Sequence, residues 1–283
     1  MALTVDQVLA IAKATEAYDG VAPLDEATLL TLRNRPEDVT IWGDVRGFGL
    51  LISTGSGPLR SDPEGELSLV VLTQHRGVGL GRQLLLRAPS LAPGTTAWSH
   101  GDNPAAARLA ARQGWERTRE LWVMRRPVAG LSPAPENPEG ILVRGFEPGD
   151  EAELLRVNAA AFAHHPEQGS LDEAGLRERM AESWFDPSGL VTAWEGEKLL
   201  AFHWTKRHSE TEGEVYVVGV DPAAQGRGLG KLVTLLGLNH LAAVGVERIH
   251  LYVEGDNTPA VRLYEGLGFT RAASDTHVQY TRG

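Results

Sequence analysis

A fourteen-residue segment occurs twice in the sequence, and only the later copy carries a side chain that could donate a proton. The strings "DNTPAVRLYEGLGF" (256–269) and "DNPAAARLAARQGW" (102–115) align without a gap and agree at six of fourteen positions. Where the later copy has Tyr264, the earlier one has Ala110. A phenol has a pKa of about 10, so it is protonated at neutral pH. Tyr264 is therefore a candidate proton donor.

A glycine-rich loop also occurs twice, each time between a predicted strand and a predicted helix. The copies read "LVVLTQHRGVGLGRQLL" (69–85) and "VGVDPAAQGRGLGKLV" (218–233). Such glycines allow a tight turn and gather backbone N–H groups at a helix N-terminus, where a pyrophosphate would be stabilised. A glycine-rich turn without a ligand stays open as the alternative. The glycine spacing does not fit a dinucleotide-binding loop, and Leu232 stands where a Walker loop has Ser or Thr.

Glu214 opens the predicted strand before the second glycine loop and is a candidate general base. Strict alternation along that strand places Glu214 on one face with Tyr216, Val218 and Val220. An ordinary glutamate, with a pKa of about 4.3, needs desolvation or a relaying water to take a proton from an α-amine at about 8. A solvated glutamate at the start of a strand is the alternative interpretation.

The composition limits which partners the chain can have. A formal charge of -10 and a pI near 5.4 argue against nucleic acid or an anionic membrane as the main partner. No cysteine is present, which excludes disulfides, thiolate zinc sites and an acyl-enzyme thioester. The N-terminus has the pattern of an amphipathic helix rather than a signal peptide, and the longest uncharged stretch is too short to span a membrane. We expect a monomeric cytoplasmic protein with small-molecule ligands.

The repeated segments predict two domains of similar plan. A chain of 283 residues can bury two cores. The proline-rich stretch "RPVAGLSPAPENPEG" (126–140) has the composition of a semi-rigid linker. We predict an N-terminal domain over 1–130, a linker over 131–140 and a C-terminal domain over 141–283. Alternating strands and helices in each half predict an α/β fold with a mixed sheet.

The second glycine loop resembles the acetyl-CoA loop of the GCN5-related N-acetyltransferases, a family known as GNAT. The resemblance rests on Val220-Asp221-Pro222 at the end of a strand, followed by Gln225, Gly228 and Gly230, and on the asparagine and tyrosine of residues 256–269. It covers residues 141–283 well and 1–126 more loosely. It implies two tandem GNAT domains, acetyl-CoA as cosubstrate, no metal, and direct transfer to an amine. The loss of the tyrosine at Ala110 implies that the N-terminal domain is non-catalytic.

Five stretches resemble one tandem branch of this superfamily in particular. They are "DGVAPLDE" (19–26), "FAHHPEQG" (162–169), "FHWTK" (202–206), "GEVYVVGVDPAAQ" (213–225) and "LYVEGDN" (251–257). That branch acetylates the cysteinyl amine of a cysteine-glucosamine-inositol pseudodisaccharide, and its N-terminal copy can still hold acetyl-CoA. Acetylation of another amine, such as an antibiotic or a peptide N-terminus, and a CoA-binding sensor without turnover are the alternatives.

The resemblance also implies a role for individual residues. It implies Glu214 as base and Tyr264 as acid, with the thioester carbonyl held by backbone N–H groups of the strand end. For the acceptor it implies contacts from Glu26, Glu167, Lys206, Glu214 and Tyr252. For CoA it implies contacts, in the first copy, from Leu69, Val70, Val71, Arg76, Gly77, Val78, Gly79, Leu80 and Gly81, and in the second from Val218, Gly219, Val220, Gln225, Gly226, Arg227, Gly228, Leu229, Gly230, Lys231, Asn257, Thr258, Pro259, Ala260, Val261 and Arg262.

The adjacent histidines His164 and His165 do not indicate a metal site. Neighbouring residues rarely bind one ion, and neither an H-E-x-x-H helix nor a cysteine accompanies them. We therefore expect no metal.

Overall fold

The computed structural model describes residues 3–53, 65–164, 166–272 and 275–283. It confirms the predicted mixed α/β class, and its helices and strands follow the repeated order that the sequence indicates. The helices are α1 (Val5–Asp19), α2 (Glu26–Asn34), α3 (Leu80–Leu86), α4 (Pro104–Arg112), α5 (Glu151–Ala161), α6 (Pro166–Gly169), α7 (Glu173–Met180), α8 (Leu229–Ala243) and α9 (Thr258–Gly266). The strands are β1 (Val39–Asp44), β2 (Gly47–Ser53), β3 (Gly65–Val71), β4 (Thr96–Ser99), β5 (Trp115–Pro127), β6 (Leu142–Gly145), β7 (Leu190–Glu195), β8 (Lys198–Arg207), β9 (Glu212–Val220), β10 (Arg248–Glu254) and β11 (Thr276–Arg282).

The chain divides into two compact units. Unit 1 comprises residues 1–122, 254–256 and 273–283, and unit 2 comprises residues 123–253 and 257–272. Neither unit is continuous in sequence, since the last strand of the chain belongs to unit 1. The stretch 131–140 contains no helix or strand. The boundaries drawn from the sequence, including a linker at 131–140, stay a prediction.

In unit 1, the sheet follows the order β1-β2-β3-β4-β11-β5. The strands β1, β2 and β3 pair antiparallel, and β3 runs parallel to β4. The C-terminal strand β11 pairs antiparallel with both β4 and β5. Helix α1 begins at a capping box in which Thr4 and Gln7 exchange side-chain and backbone hydrogen bonds. Its Val8 and Ile11 pack on Phe48 of β2, which forms one part of the core.

In unit 2, the sheet follows the order β10-β9-β8-β7-β6, in which β6 to β9 pair antiparallel and β9 runs parallel to β10. Two apolar clusters cover its two faces. One contains Leu154 of α5, Leu176 of α7 and Trp204 of β8. The other contains Leu229 and Leu232 of α8. These two faces, called here the α5 face and the α8 face, position the side chains of the site.

Within the described part of the chain, no helix combines the length and the apolar character that crossing a membrane requires.

Candidate acetyl-transfer site

The glycine loop of unit 2 leaves the N-terminus of α8 open to a ligand. Gly226 and Gly228 have φ values of 79° and 77°, which a residue with a Cβ rarely adopts. Gly228 is the N-cap of α8, and no side chain caps the first turn. The backbone N–H groups of that turn therefore lack a side-chain partner, and the helix dipole adds partial positive charge there. Residues 225–228 and Lys231 are exposed, so an anionic group can reach these donors.

The corresponding loop of unit 1 has similar glycine φ values, but its arginine forms an ion pair within the protein. Gly77 and Gly79 have φ values of 78° and 87°. The Arg76 guanidinium donates to both carboxylate oxygens of Asp19, at 2.8 and 2.6 Å, and its Nε donates to the carbonyl of Val71 at 2.9 Å. The equivalent Gln225 of unit 2 is exposed. Arg76 thus ties its loop to α1, and the two loops differ at this position in chemistry as well as in sequence.

A β-bulge at Tyr216 divides β9 into two parts. Opposite β8, the pairing steps from Val217 to Val215, so that Tyr216 is the extra residue. Tyr216 and Val217 both pack in the α5-face cluster, whereas Val218 and Val220 pack against the α8-face cluster. The prediction that strict alternation places Glu214 and Tyr216 on one face with Val218 and Val220 is therefore wrong, because the bulge shifts the alternation by one residue.

Beyond the bulge, β9 separates from β10. The parallel pairing runs from Glu212 opposite Arg248 to Val215 opposite Leu251, and the described residues show no pairing of these two strands beyond that point. The backbone of residues 217–220 still pairs with β8 on its other side. On the side toward β10, no strand pairing uses its polar groups in the described structure, so they are available to water or a ligand. A pantetheine chain and a thioester carbonyl could bind along this edge.

Glu214 is the centre of a polar row across three strands. It lies opposite Lys206 on β8 and opposite His250 on β10. All three residues are buried, with 6% of Glu214, 9% of Lys206 and 9% of His250 accessible. The Lys206 ammonium lies 4.7 Å from the ring centre of Trp184 and 5.2 Å from that of Tyr216. These aromatic faces stabilise the buried cation.

Two histidines approach the same oxygen of Glu214. His208 Nε2 lies 2.6 Å from Glu214 Oε2, and His250 Nε2 lies 3.8 Å from it. The three side chains place one potential metal-binding atom each within 4.8 Å of one another. The 2.6 Å separation is a direct hydrogen bond, shorter than the roughly 3.3 Å between two ligand atoms on a tetrahedral zinc. Burial lowers the pKa of His250, so its imidazole is neutral at neutral pH.

Tyr264 is largely enclosed on α9. It is 8% exposed, and its ring lies 5.8 Å from that of Phe269 in an edge-to-face arrangement. Among the described residues, the hydroxyl has no hydrogen-bond partner. Burial raises the pKa of Tyr264 to about 12, because the phenolate would lose its hydration. The phenol is therefore protonated at neutral pH. Ala110, the equivalent residue of α4, is also buried.

Asparagines 103 and 257 of the repeated segment cap helices in both units. Asn257 accepts from the backbone N–H of Ala260 at 3.2 Å, and Asn103 accepts from that of Ala105 at 2.8 Å. These contacts account for the asparagine in both copies without a ligand. The other predicted CoA residues of this segment, from Thr258 to Arg262, form the first turns of α9.

The remaining predicted acceptor residues lie in different places. Tyr252 is 42% exposed, and its ring lies 5.6 Å from that of His250, which connects it to the polar row. Glu26 is the first residue of α2 in unit 1, and Glu167 lies in α6 with its side chain outside the described residues. The structure thus groups Glu214, Lys206 and Tyr252, while Glu26 and Glu167 stay predictions.

Sequence reasoning missed three residues of this site, namely His208, His250 and Trp184. His250 stands two residues before Tyr252 on a predicted strand, so alternation alone could have placed both on one face. No local pattern connects His208 with Glu214, because their contact depends on strand pairing. No local pattern connects Trp184 with Lys206 either, because Trp184 lies in the loop between α7 and β7.

Comparison with known proteins gives consistent matches over the chain. The profile of the acetyltransferase (GNAT) family matches residues 158–269. The mycothiol acetyltransferase of Nocardioides sp. is 55% identical, with 97% of this chain and 96% of that protein covered. The mycothiol acetyltransferase of Actinosynnema mirum is 47% identical, with 97% and 94% covered.

Two solved structures show the same fold. A GCN5-related N-acetyltransferase from Sphaerobacter thermophilus matches with a TM-score of 0.70 and 23% identity, over 99% of this chain and 94% of that one. A tandem GNAT protein from the clavulanic acid biosynthesis pathway matches with a TM-score of 0.71 and 20% identity, over 98% and 94%. These matches confirm the predicted tandem GNAT fold.

Proposed function

Because the chain belongs to the mycothiol acetyltransferase family of GCN5-related N-acetyltransferases, we propose that it completes mycothiol synthesis by acetylating a cysteinyl amine with acetyl-CoA. The acceptor is the amine of 1D-myo-inositol 2-(L-cysteinylamino)-2-deoxy-glucopyranoside. The single structural observation that carries this proposal is the buried row of Lys206, Glu214 and His250 beside the point where β9 and β10 separate. That row offers a carboxylate to an ammonium group next to an edge suited to a thioester.

The transfer is direct, from thioester to amine. The acceptor ammonium loses one proton to the basic group that contains Glu214, and the neutral amine then attacks the acetyl carbonyl. Backbone N–H groups in residues 218–220 stabilise the oxyanion, since these donors do not depend on side-chain identity. The carbon–sulfur bond breaks, and Tyr264 donates its proton to the departing sulfur. The nitrogen loses its second proton as the amide forms, and the Tyr264 phenolate regains a proton. The absence of cysteine from the sequence supports a path without an acyl-enzyme thioester.

Acetyl-CoA binds through the loop that precedes α8. The open helix N-terminus with Gly226 and Gly228 receives the pyrophosphate, and residues 225–231 supply the surrounding contacts. Asn257 and the first turns of α9, residues 258–262, supply further contacts to CoA. In unit 1, the corresponding contacts are those of residues 69–71 and 76–81. Because unit 1 has Ala110 instead of the tyrosine, it contributes no acid and is non-catalytic.

The acceptor's hydroxyl and ammonium groups call for carboxylates and a few donors. Within unit 2, Glu214, Lys206 and Tyr252 supply these groups. Glu26 and Glu167 are further acceptor contacts that the family resemblance supports.

A comparison of amines tests the acceptor. CoA release is measured with the cysteinyl pseudodisaccharide, an aminoglycoside and a peptide N-terminus at equal concentration. We expect kcat/KM to be highest for the pseudodisaccharide and to fall by at least about 100-fold in the Glu214→Gln variant, the range typical of general acid–base catalysis. Equal rates with all amines would contradict the assigned acceptor.

Disruption of the gene in its host gives an independent test. Mass spectrometry of the thiol pool should then show loss of the acetylated thiol and accumulation of its free-amine precursor. An unchanged pool would refute the proposed role.

A further inference from the structure

The hydrogen bond between His208 and Glu214 joins a buried carboxylate to an accessible imidazole. The Glu214 side chain is 8% exposed, whereas that of His208 is 38% exposed. The His208 backbone N–H donates to the carbonyl of Glu212 at 2.9 Å, which holds the residue at the turn between β8 and β9. The histidine therefore lies at the turn, partly exposed, with one ring nitrogen against the carboxylate. Among the described residues, its other ring nitrogen has no partner.

A carboxylate alone is a weak base for the proposed reaction. An α-amine has a pKa of about 8, an ordinary carboxylic acid one of about 4.3 and an imidazole one of about 6.5. Proton transfer from the amine to an imidazole is therefore less unfavourable than transfer to a carboxylate by about two pKa units. A carboxylate that accepts the imidazole N–H also orients the ring and stabilises the imidazolium that forms.

We propose, on the basis of the proposed function, that His208 accepts the proton of the acceptor amine at Nδ1 and that Glu214 acts as its carboxylate partner. His208 donates its Nε2–H to Glu214 Oε2 in the resting state. The N–H bond of the acceptor ammonium breaks, its electron pair stays on nitrogen for the attack, and the proton forms a bond with His208 Nδ1. The imidazolium then returns this proton to water at the exposed side of the ring.

Other titratable and charged groups lie around Glu214 and His250. On β10, His250 is 3.8 Å from the same oxygen, and burial keeps it neutral by lowering its pKa. On β8, the Lys206 ammonium is held over two aromatic rings. The charges of Glu212 on β9 and Arg125 on β5 act on His250 in opposite directions.

The His208→Gln variant tests the proposal without removing the hydrogen bond. The glutamine amide can still donate to Glu214 but cannot accept a proton, and the side chain at this position is 38% exposed, so its replacement leaves the packed core in place. We expect kcat/KM at neutral pH to fall by about 100-fold, the acidic limb of its pH profile to flatten, and free imidazole to restore part of the rate.

His240→Gln is the matched control. His240 also pairs with a carboxylate, Asp186, at 3.1 Å in unit 2, but it lies on α8, away from Glu214. This variant should keep the wild-type pH profile, and free imidazole should not affect its rate.

The Glu214→Gln variant separates failure of this proposal from failure of the proposed function. If Glu214→Gln loses activity while His208→Gln keeps kcat/KM within about twofold at every pH, Glu214 is the base on its own and our proposal is wrong. If the wild-type enzyme does not acetylate the cysteinyl amine at all, the proposed function is wrong. The proton transfer to His208 is then wrong as well.

Discussion

Replacing Tyr264 by phenylalanine should separate the chemistry of its hydroxyl from the packing of its ring. The ring packs on Phe269, and the hydroxyl has no partner among the described residues, so phenylalanine keeps the observed contacts. In the transition state, the departing thiolate would lose one hydrogen bond from a neutral donor to a charged acceptor. Such a bond contributes about 1.5 to 3 kcal/mol, which corresponds to a loss of about 10- to 150-fold in kcat.

The raised pKa of Tyr264 adds a second expectation, on stability. The pKa is about 12 in the folded protein, against an ordinary value of 10.0 for tyrosine. The folded state therefore opposes ionisation, and this group's contribution to the free energy of unfolding is fully present below pH 10. It is lost as the pH rises from 10 to 12, by about 2.7 kcal/mol for two pKa units. Tyr264→Phe should lose less stability than the wild type across this range.

Stopped-flow or single-turnover measurement of acetyl transfer, together with urea unfolding at several pH values, checks both expectations. We expect kcat to fall while KM for acetyl-CoA and the free energy of unfolding at pH 7 change little. Unchanged kcat in the variant would refute the acid role. A fall in kcat with an equal loss of stability at pH 7 would show instead that the hydroxyl supports the fold.

Three further predictions concern packing, the glycine loop and a buried histidine. Gly237→Ala should destabilise the protein by about 1 to 3 kcal/mol in urea unfolding, because a Cβ would lie 2.1 Å from His203 Nδ1; a stable variant would contradict this packing. Gly228→Ala should cost about 1 kcal/mol through its φ of 77° and raise KM for acetyl-CoA, whereas an unchanged KM would argue against the loop as the CoA site. Burial lowers the pKa of His100, which contacts His277, to about 4. Stability should therefore be complete above pH 6.5 and fall by about 2 to 3 kcal/mol toward pH 4, and His100→Asn should flatten this acid-unfolding curve; parallel curves would contradict it.

Local sequence patterns predicted the parts of the fold that depend on local physics. The positive φ values of Gly77, Gly79, Gly226 and Gly228 confirm both glycine turns, because only glycine adopts this conformation freely. The strands and helices around these turns were predicted from the β-branched and leucine-rich runs on either side of the glycines. The placement of the C-terminal strand could not be predicted, since residues 276–282 pair with strands more than 150 positions earlier in the chain.

The site was predicted only in part. Glu214 was a candidate from its place at the start of a strand and Lys206 came from the resemblance, and the structure places them opposite each other on neighbouring strands. His208 and His250 were missed because their contact with Glu214 depends on a turn and on a parallel pairing that no spacing in the sequence encodes. Tyr216 shows the same limit, since a bulge is a property of two paired strands and cannot be read from one.

The bulge at Tyr216 explains how one strand can direct Glu214 to one face of the sheet and Val218 and Val220 to the other. Before the bulge, β9 pairs on both sides, and Glu214 is enclosed between Lys206 and His250 on the α5 face. After it, Val218 and Val220 pack on the α8 face, and the edge toward β10 is unpaired in the described structure. A strand with regular alternation would place Val218 and Val220 on the same face as Glu214, away from the cluster on α8. The extra residue therefore allows those valines to anchor the strand on α8 while Glu214 stays on the opposite face, beside His208. Deletion of Tyr216 should consequently disrupt the packing of Val218 and Val220 along with the polar row of Lys206, Glu214 and His250.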